Sequence, residues 1–366
     1  MELRDKIGQL FMLGFTGTTV STELASLITR YRPGGAILFT RNLESPEQII
    51  TLTNGLQALS PESPLFISID QEGGRVSRLP AGFTIFPPCA ALGRCDSTEL
   101  AYQAAAVTAT ELRAVGINMN MAPVLDVDTN PQNPIIGDRA FGRDPEQVAR
   151  LGAAVMAGLH DHRVIACGKH FPGHGDTSTD SHVELPVVTA AAERLRAVEL
   201  YPFRYAIERG LQTIMTAHVR YPALDAQVPA TLSRPILTGL LRDELRFTGL
   251  ILSDDLEMRA IGDHYGIGEA AVRAVQAGVD MLLICKDLDR AVEAMDALLR
   301  AVETGTIPES RVDASLQRIR LVKDRFLYPV TPADPTTAST VVGHPSHQAL
   351  LASLRGTDER RAKASV

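Results

Sequence analysis

The sequence lacks any excess of positive charge. Its 43 acidic residues outnumber its 36 lysine and arginine residues, so the formal net charge is -7 at pH 7. A protein that binds a nucleic-acid backbone needs a basic surface to neutralise the phosphates. The composition therefore predicts no nucleic-acid partner, whereas a small anionic substrate would require only one or two local cations.

Long apolar runs and cysteines are also scarce. No run approaches the roughly 20 apolar residues of a membrane helix. The N-terminal stretch MELRDKIGQLFMLGF has acidic residues before its apolar part and no small-residue cleavage site, unlike a signal peptide. These features predict a cytoplasmic protein with no membrane partner. The cysteines form no CxxC pair, which indicates free thiols in a reducing compartment. They are Cys89, Cys95, Cys167 and Cys285.

Short apolar runs alternate with helix-like segments along the chain. Continuous rather than alternating hydrophobicity is typical of strands that are covered on both faces, as in parallel sheets. Strand–helix alternation repeated about eight times predicts an α/β fold that is a single (β/α)8 TIM-type barrel, with a doubly wound sheet as the alternative. The runs are QLFMLGF (9–15), GGAILF (34–39), PLFISID (64–70), NMNMAPVLDV (118–127), VIACGKHF (164–171), QTIMTAHV (212–219), TGLILSDD (248–255) and DMLLIC (280–285).

Amphipathic segments between these runs predict helices. The barrel is expected to occupy residues 1–330. Residues 331–366 are rich in Pro, Thr and Ala and then in charge, which predicts a flexible or surface-docked extension with one short helix over 347–355. The clearest helical segments are residues 98–116, 144–162 and 190–210.

Polar side chains close several of the predicted strands. In a barrel of this kind the C-terminal ends of the strands converge on one face, and that face holds the active site. Residues that are far apart in sequence are therefore predicted to share one pocket. These residues are Asp70, Asp126, His170, His218 and Asp254.

The densest group of titratable residues is the segment KHFPGHGDTSTDSHVELP, residues 169–186. Its Gly and Pro content predicts a loop, and loops this rich in titratable groups are usually functional. A plain polar loop and a metal site built from His174, Asp176 and His182 are two interpretations. The third is an acid–base loop, in which the Asp180 carboxylate accepts the ring N–H of His182 and stabilises its imidazolium. Such a histidine can both give and take a proton.

The segment SDDLEM, residues 253–258, closes the seventh run. A carboxylate at the end of a barrel strand is well placed to attack a sugar anomeric carbon, and Asp254 is interpreted as that group. Adjacent side chains on an extended strand point in different directions, so only one of Asp254 and Asp255 is expected to face the pocket. Asp255 or Glu257 is expected to cap the helix that follows.

Two further loops contain candidate sugar-binding residues. In IDQEGGRVSRL, residues 69–79, Asp70 can accept hydrogen bonds from sugar hydroxyls, and Arg75 and Arg78 can donate them. In GDRAFG, Arg139 lies in another loop after a strand. A surface salt bridge is the alternative interpretation of Arg139.

These motifs resemble, in order, the signature segments of the family 3 glycoside hydrolases, in particular those of the bacterial β-N-acetylhexosaminidases of peptidoglycan recycling. The similarity runs from about residue 5 to 325, and its longest part, K-H-F-P-G-H-G-D-T-x-x-D-S-H, is highly specific. It implies a single barrel with the sugar at the C-terminal ends of the strands. Many members carry a second α/β domain that supplies a carboxylic acid catalyst, and the chain length predicts none here.

The resemblance also implies residue roles. Asp254 matches the nucleophile that forms a covalent glycosyl-enzyme, His182 matches the acid/base, and Asp180 matches its partner. The implied reaction is a retaining double displacement that removes terminal non-reducing β-linked N-acetylglucosamine, as from muropeptide fragments, with no cofactor and no metal. The residues implied to hold the N-acetylglucosamine ring are Asp70, Arg78, Arg139, Lys169 and His170.

Three alternatives stay open at this point. A phosphorylase on the same scaffold is one, because an uncharged histidine tolerates incoming phosphate better than a carboxylate does. A metal-dependent hydrolase that uses His174, Asp176 and His182 is the second, and a non-catalytic sugar-binding barrel is the third. The sequence predicts no particular oligomeric state.

Overall fold

Eight parallel strands form a closed barrel, in which each strand pairs with the next along the chain and the eighth pairs with the first. This computed structural model describes residues 1–181 and 184–364. Every strand lies within one of the eight apolar runs, so the predicted (β/α)8 barrel is confirmed and the doubly wound sheet is wrong. The strands are β1 (Phe11–Leu13), β2 (Gly35–Leu38), β3 (Phe66–Ile69), β4 (Met119–Asn120), β5 (Ile165–Phe171), β6 (Thr213–Thr216), β7 (Leu250–Asp255) and β8 (Met281–Ile284).

Helices connect successive strands and cover the barrel. Short 3-10 helices span Thr40–Asn42, Gly137–Arg139 and Ala230–Leu232, and a π-helix spans Pro235–Glu244. The α-helices of the described residues are α1 (Leu3–Gly8), α2 (Thr22–Tyr31), α3 (Pro46–Ala58), α4 (Cys89–Cys95), α5 (Thr98–Ala114), α6 (Pro145–Asp161), α7 (Ala192–Ala197), α8 (Tyr201–Glu208), α9 (Arg259–Gly262), α10 (Ile267–Ala277), α11 (Leu288–Glu303), α12 (Glu309–Phe326), α13 (Pro335–Val341) and α14 (Pro345–Ala364). Within that part of the chain, no helix is both long and apolar enough to cross a membrane.

The strand residues are buried on both faces, as their continuous hydrophobicity predicts. In β5 all 7 residues are buried, although Lys169 and His170 at its C-terminal end are polar. A buried cation is unfavourable unless charged or hydrogen-bonding partners surround it. The C-terminal end of β5 is therefore the first place to look for a functional site.

The helices predicted over residues 98–116 and 144–162 are confirmed as α5 and α6. Helix α5 begins after Ser97, whose hydroxyl accepts a hydrogen bond from the backbone N–H of Leu100. Helix α6 begins after Asp144, whose carboxylate accepts from two N–H groups of the first turn, and Pro145 follows it. A proline in the first turn costs no hydrogen bond, because the N–H that it lacks would have no partner within the helix.

The single helix predicted over residues 190–210 is wrong, because two helices, α7 and α8, occupy this segment. Pro202 lies in the first turn of α8. A proline inside a continuous helix would lack a donor, and its ring would clash with the carbonyl group four residues earlier. The first helix therefore ends at Ala197, and a new helix begins at Tyr201.

Beyond residue 330 the chain forms α13 and α14, which pack on the outside of the barrel. Helix α13 contacts α3 and α5, while α14 contacts α4 and α5. Leu351 and Leu354 are buried in an apolar cluster with residues of these barrel helices and of α6. Arg94 of α4 donates two hydrogen bonds to the Asp358 carboxylate, at 2.6 and 2.8 Å. The helix predicted over 347–355 is therefore longer than expected, at 20 residues, and docked.

Candidate active site

A cavity of about 330 Å³ opens at the C-terminal ends of the strands. Six of the eight predicted site residues line it, and they come from β5, β7 and the loops after β3 and β4. Asp180 lies in the loop after β5, next to Ser181, which also lines the cavity. His182 lies outside the described residues. The six residues that the structure brings together are Asp70, Arg78, Arg139, Lys169, His170 and Asp254.

A buried network of ions forms the wall of this cavity. The Lys169 ammonium lies 2.7 Å from Asp70 Oδ1 and 2.6 Å from Glu72 Oε1, and the lysine side chain is 2% exposed. Arg139 donates two hydrogen bonds of 2.8 Å to the two carboxylate oxygens of Glu72. Because its guanidinium is buried in this bidentate pair, the interpretation of Arg139 as a surface salt bridge is wrong.

The charges in this network stabilise one another against the effect of burial. Burial raises the pKa of Glu72, but the charges of Lys169 and Arg139 more than offset this and hold it below its ordinary value. Burial lowers the pKa of Lys169, but the carboxylates of Asp70 and Glu72 raise it above its ordinary value. Glu72 and Lys169 are therefore both ionised at neutral pH, and the wall presents fixed charges and donors to a ligand.

Glu72 lines the cavity, and the sequence analysis did not identify it. It lies two residues after Asp70 in the predicted site loop, before a turn in which Gly73 and Gly74 have φ values of +98° and +56°. The sequence nevertheless contained a signal for a second carboxylate. A lysine and an arginine that are both buried need more negative charge than the single carboxylate of Asp70 provides. The nearest acidic residue in that loop is Glu72.

Asp126 lies behind His170 and orients it. Its Oδ2 is 2.7 Å from the Nδ1 of His170, and its Oδ1 accepts hydrogen bonds from the backbone N–H groups of His170 and His174. Burial raises the pKa of Asp126, but the neighbouring His170 and His174 lower it below its ordinary value. This contact places the proton on the Nδ1 of His170 and fixes its ring.

Two of the five strand-end residues do not line the cavity with the others, in contrast to the prediction. Asp126 is fully buried and contacts the His170 ring. His218 is 1% exposed, and its ring nitrogens lie 2.7 Å from Thr231 Oγ1 and 3.0 Å from the backbone oxygen of Asp255. Both residues support neighbours that line the cavity.

Asp254 and Asp255 at the end of β7 are both among the residues that line the cavity, and their carboxylates have different surroundings. Asp254 is half-buried, and its Oδ1 accepts a hydrogen bond of 2.8 Å from the N–H of Asp255. Asp255 is buried, and its Oδ1 accepts from the N–H groups of Glu257 and Cys285. The pairing of β7 with β8 shifts register between Leu252 and Asp255, which disrupts strict alternation of the side chains.

Asp255 and Glu257 tie the end of β7 to the end of β8 rather than cap a helix. Helix α9 begins without a side-chain cap, so the capping interpretation is wrong. Glu257 instead accepts a hydrogen bond of 2.7 Å from the N–H of Lys286. Burial, together with the charges of Glu257 and Asp254, raises the pKa of Asp255 to about 6. Asp255 therefore has a structural role at the end of β7, and its raised pKa disfavours a permanent charge on its carboxyl group.

His174 fixes the start of the loop that follows β5. Its two ring nitrogens lie 2.9 Å from Thr177 Oγ1 and 3.2 Å from Ser181 Oγ. Burial, assisted by the neighbouring His170, lowers the pKa of His174 to about 4, so its ring is neutral at neutral pH. In the described part of the chain, no three His, Cys, Asp or Glu side chains converge as a metal site. The metal alternative also requires His182.

Basic residues that the sequence analysis did not name line the rim of the cavity. Arg41 donates hydrogen bonds to the backbone oxygens of Phe15 and Cys285, and its guanidinium lies 4.5 Å from the ring centre of Phe39. Lys286 is exposed and follows β8. Each is a lone basic residue shortly after a strand, and this position could have identified it as a candidate site residue.

Comparisons with known proteins agree with this arrangement. A β-hexosaminidase from Nitrosomonas eutropha is 44% identical over 310 residues, which are 82% of this chain and 88% of that protein. The structure of a family 3 β-N-acetylglucosaminidase from Paenibacillus sp. str. FPU-7 matches with a TM-score of 0.95 and 46% identity, over 98% of this chain and 69% of that one. NagZ from Neisseria gonorrhoeae, solved with N-trifluoroacetyl-D-glucosamine, matches with a TM-score of 0.80 and 35% identity, over 95% and 98% of the two chains.

The family model described as the glycosyl hydrolase family 3 N terminal domain matches residues 2–322. The match covers all eight strands and the cavity at their C-terminal ends, and residues 331–366 lie beyond it. The prediction of an enzyme that hydrolyses glycosides is confirmed. The chain belongs to glycosyl hydrolase family 3.

Proposed function

We propose that the chain is a retaining β-N-acetylglucosaminidase, in which Asp254 is the nucleophile and His182 is the acid/base. One observation carries the proposal: Asp254 is half-buried in the same cavity as Lys169 and Arg139. A pyranose bound to the donors of that wall would present its anomeric carbon to a carboxylate at the end of a barrel strand. Retaining enzymes need such a carboxylate beneath the sugar ring.

The cavity also contains unused hydrogen-bonding capacity that suits a sugar. The Nε of Arg78 is buried and has no hydrogen-bond partner among the described residues. A buried donor of this kind is usually satisfied, and a sugar hydroxyl or an acetamido oxygen would satisfy it. One carboxylate oxygen of Asp70 accepts a hydrogen bond from Lys169, and the carboxylate can still accept hydrogen bonds from hydroxyl groups. The names of the relatives support N-acetylglucosamine as the sugar.

The proposed reaction has two displacements. In the first, Asp254 forms a bond to the anomeric carbon as the bond to the leaving oxygen breaks, and the His182 imidazolium gives its proton to that oxygen. In the second, neutral His182 takes a proton from water, whose oxygen attacks the anomeric carbon and releases Asp254. The result is net retention. Asp180 holds the His182 ring in this proposal, and both roles rest on the sequence motif.

The leaving group is proposed to carry negative charge, as muropeptide fragments do. Arg41 and Lys286 on the rim support this, because they place positive charge beside the cavity. A cytoplasmic location is part of the same proposal, and it is supported by four cysteines that are buried as free thiols. No step of the proposed reaction uses a metal or a cofactor.

A panel of aryl β-glycosides, assayed with the wild type and with Asp254→Ala, tests this proposal. We expect the wild type to prefer the N-acetylglucosaminide and to release the β-anomer first, as followed by NMR, and we expect the variant to be inactive but folded. Added phosphate should leave the product unchanged. A sugar 1-phosphate as the main product would instead establish the phosphorylase alternative, and full activity of the variant would contradict the nucleophile.

A further inference from the structure

Glu111 of α5 joins the C-terminal extension to a loop of the barrel. Its side chain is 1% exposed. From the barrel it accepts hydrogen bonds from the N–H and the hydroxyl of Thr84, at 2.8 and 2.7 Å. From the extension it accepts one from the N–H of Gly343 at 3.1 Å, and it contacts the Nδ1 of His347 at 2.8 Å. Gln348 donates to the Thr84 hydroxyl at 3.1 Å. These five residues are called the Glu111 hub.

Thr84 belongs to residues 71–88, here called the site loop, which leaves β3 at the cavity and returns to α4. The N–H of Gly74 donates a hydrogen bond of 2.9 Å to the backbone oxygen of Phe86. A Cβ atom at Gly74 would lie 2.7 Å from the Pro88 side chain. The two halves of the loop are thus in direct contact, so the segment fixed at Thr84 supports the turn at residues 73–74.

That turn leads directly to the cavity. Arg75 follows it, and Arg78 lies three residues further along; both line the cavity. The backbone N–H of Arg78 is held by Gln71 Oε1 at 2.9 Å, within the same loop. Hydrogen bonds and the intervening backbone therefore connect the extension, through Glu111 and the site loop, to two arginines of the cavity.

We propose that the extension positions the site loop through the Glu111 hub, so that His347 and Gln348 are positioning residues for substrate binding. The extension lies beyond the family match, so this would be a contribution that the barrel motifs do not encode. Buried carboxylates that lose a donor are strongly destabilised, which gives the hub a single preferred arrangement. The kinetic part of this inference rests on the proposed function, whereas its structural part does not.

The test is the double variant His347→Leu/Gln348→Leu, which removes two donors of the extension and leaves the bonds between Glu111 and Thr84 in place. Amide hydrogen exchange of the site loop, followed by mass spectrometry, should accelerate roughly tenfold. On an aryl β-N-acetylglucosaminide, KM should rise roughly three- to tenfold while kcat stays within about twofold. If the two residues had only a structural role, the variant would have a lower melting temperature, but KM would not rise relative to kcat.

Arg94→Gln is the matched control, because it removes the ion pair to Asp358 and loosens α14 at a point away from Thr84. It should leave exchange in the site loop and KM unchanged. Equal effects of the control and the double variant would overturn the proposal, as would accelerated exchange without a change in KM, or no change in either. If the wild type cleaves no glycoside, the proposed function fails, and the exchange pattern alone then decides the inference.

Discussion

Replacing Glu72 with glutamine should destabilise the protein far more than a surface substitution does. The Glu72 side chain is 1% exposed and lies 2.6 Å from the Lys169 ammonium and 2.8 Å from Arg139. Removing one partner of a buried ion pair costs about 3–5 kcal/mol, because the remaining charges stay buried. With about 2 cal/mol/K of unfolding entropy per residue over the chain, this lowers the melting temperature by about 4–7 °C.

The same substitution has a predicted pH signature. Burial raises the pKa of Glu72, but Lys169 and Arg139 hold it below its ordinary value. A carboxyl group with a lowered folded pKa stabilises the fold above its unfolded pKa of about 4.3, and this stabilisation is lost as the pH falls further. The difference in melting temperature between the wild type and Glu72→Gln should therefore be constant above about pH 5 and shrink below about pH 4.

Calorimetry across this pH range measures both effects. Glu309→Gln is the control, because the side chain of Glu309 is 55% exposed and pairs with Lys6 on the surface. An exposed pair of this kind contributes little to stability. If Glu72→Gln melted at the wild-type temperature at pH 7, Lys169 and Arg139 would not depend on Glu72, and the account of the cavity wall would be refuted.

Three further predictions concern the two proposed catalytic residues and Asp255. Asp254→Asn should lower kcat at least about a thousandfold with an unchanged circular dichroism spectrum, and a smaller loss would argue against a nucleophile. His182→Ala should slow substrates with poor leaving groups far more than activated aryl glycosides, and equal losses in kcat/KM would contradict the acid role. Because the pKa of Asp255 is raised to about 6, its ionisation opposes folding. Asp255→Asn should therefore gain stability relative to the wild type as the pH rises from about 4 through 6, and a constant difference in melting temperature would contradict this.

The barrel could be predicted because its signal is local and repeated. Each apolar run had the continuous hydrophobicity of a strand that is buried on both faces, and all eight contain a strand. The break between α7 and α8 was missed, although Pro202 was visible, because the surrounding residues keep a helical pattern. The docking of α14 was missed because it depends on contacts such as Arg94–Asp358, which join residues 264 positions apart.

Six of the residues that line the cavity could be predicted from the sequence, but their pairwise contacts could not. Strand-end position predicted that Asp70, His170 and Asp254 share one pocket, since parallel strands of a barrel end on one face. It did not distinguish a residue that lines the cavity from one that lies beneath it, as His218 does. That distinction depends on the local register, and the shift between β7 and β8 cannot be derived from the period of a strand.

Trapping the covalent intermediate most directly tests whether Asp254 is the nucleophile. The enzyme is quenched with acid during turnover of an activated aryl β-N-acetylglucosaminide, digested, and analysed by mass spectrometry. The account predicts that the peptide from β7 gains the mass of one N-acetylglucosaminyl residue, with fragmentation placing it on Asp254, and that Asp254→Asn gains none. An adduct on another residue, or turnover with inverted stereochemistry and no adduct, would contradict it.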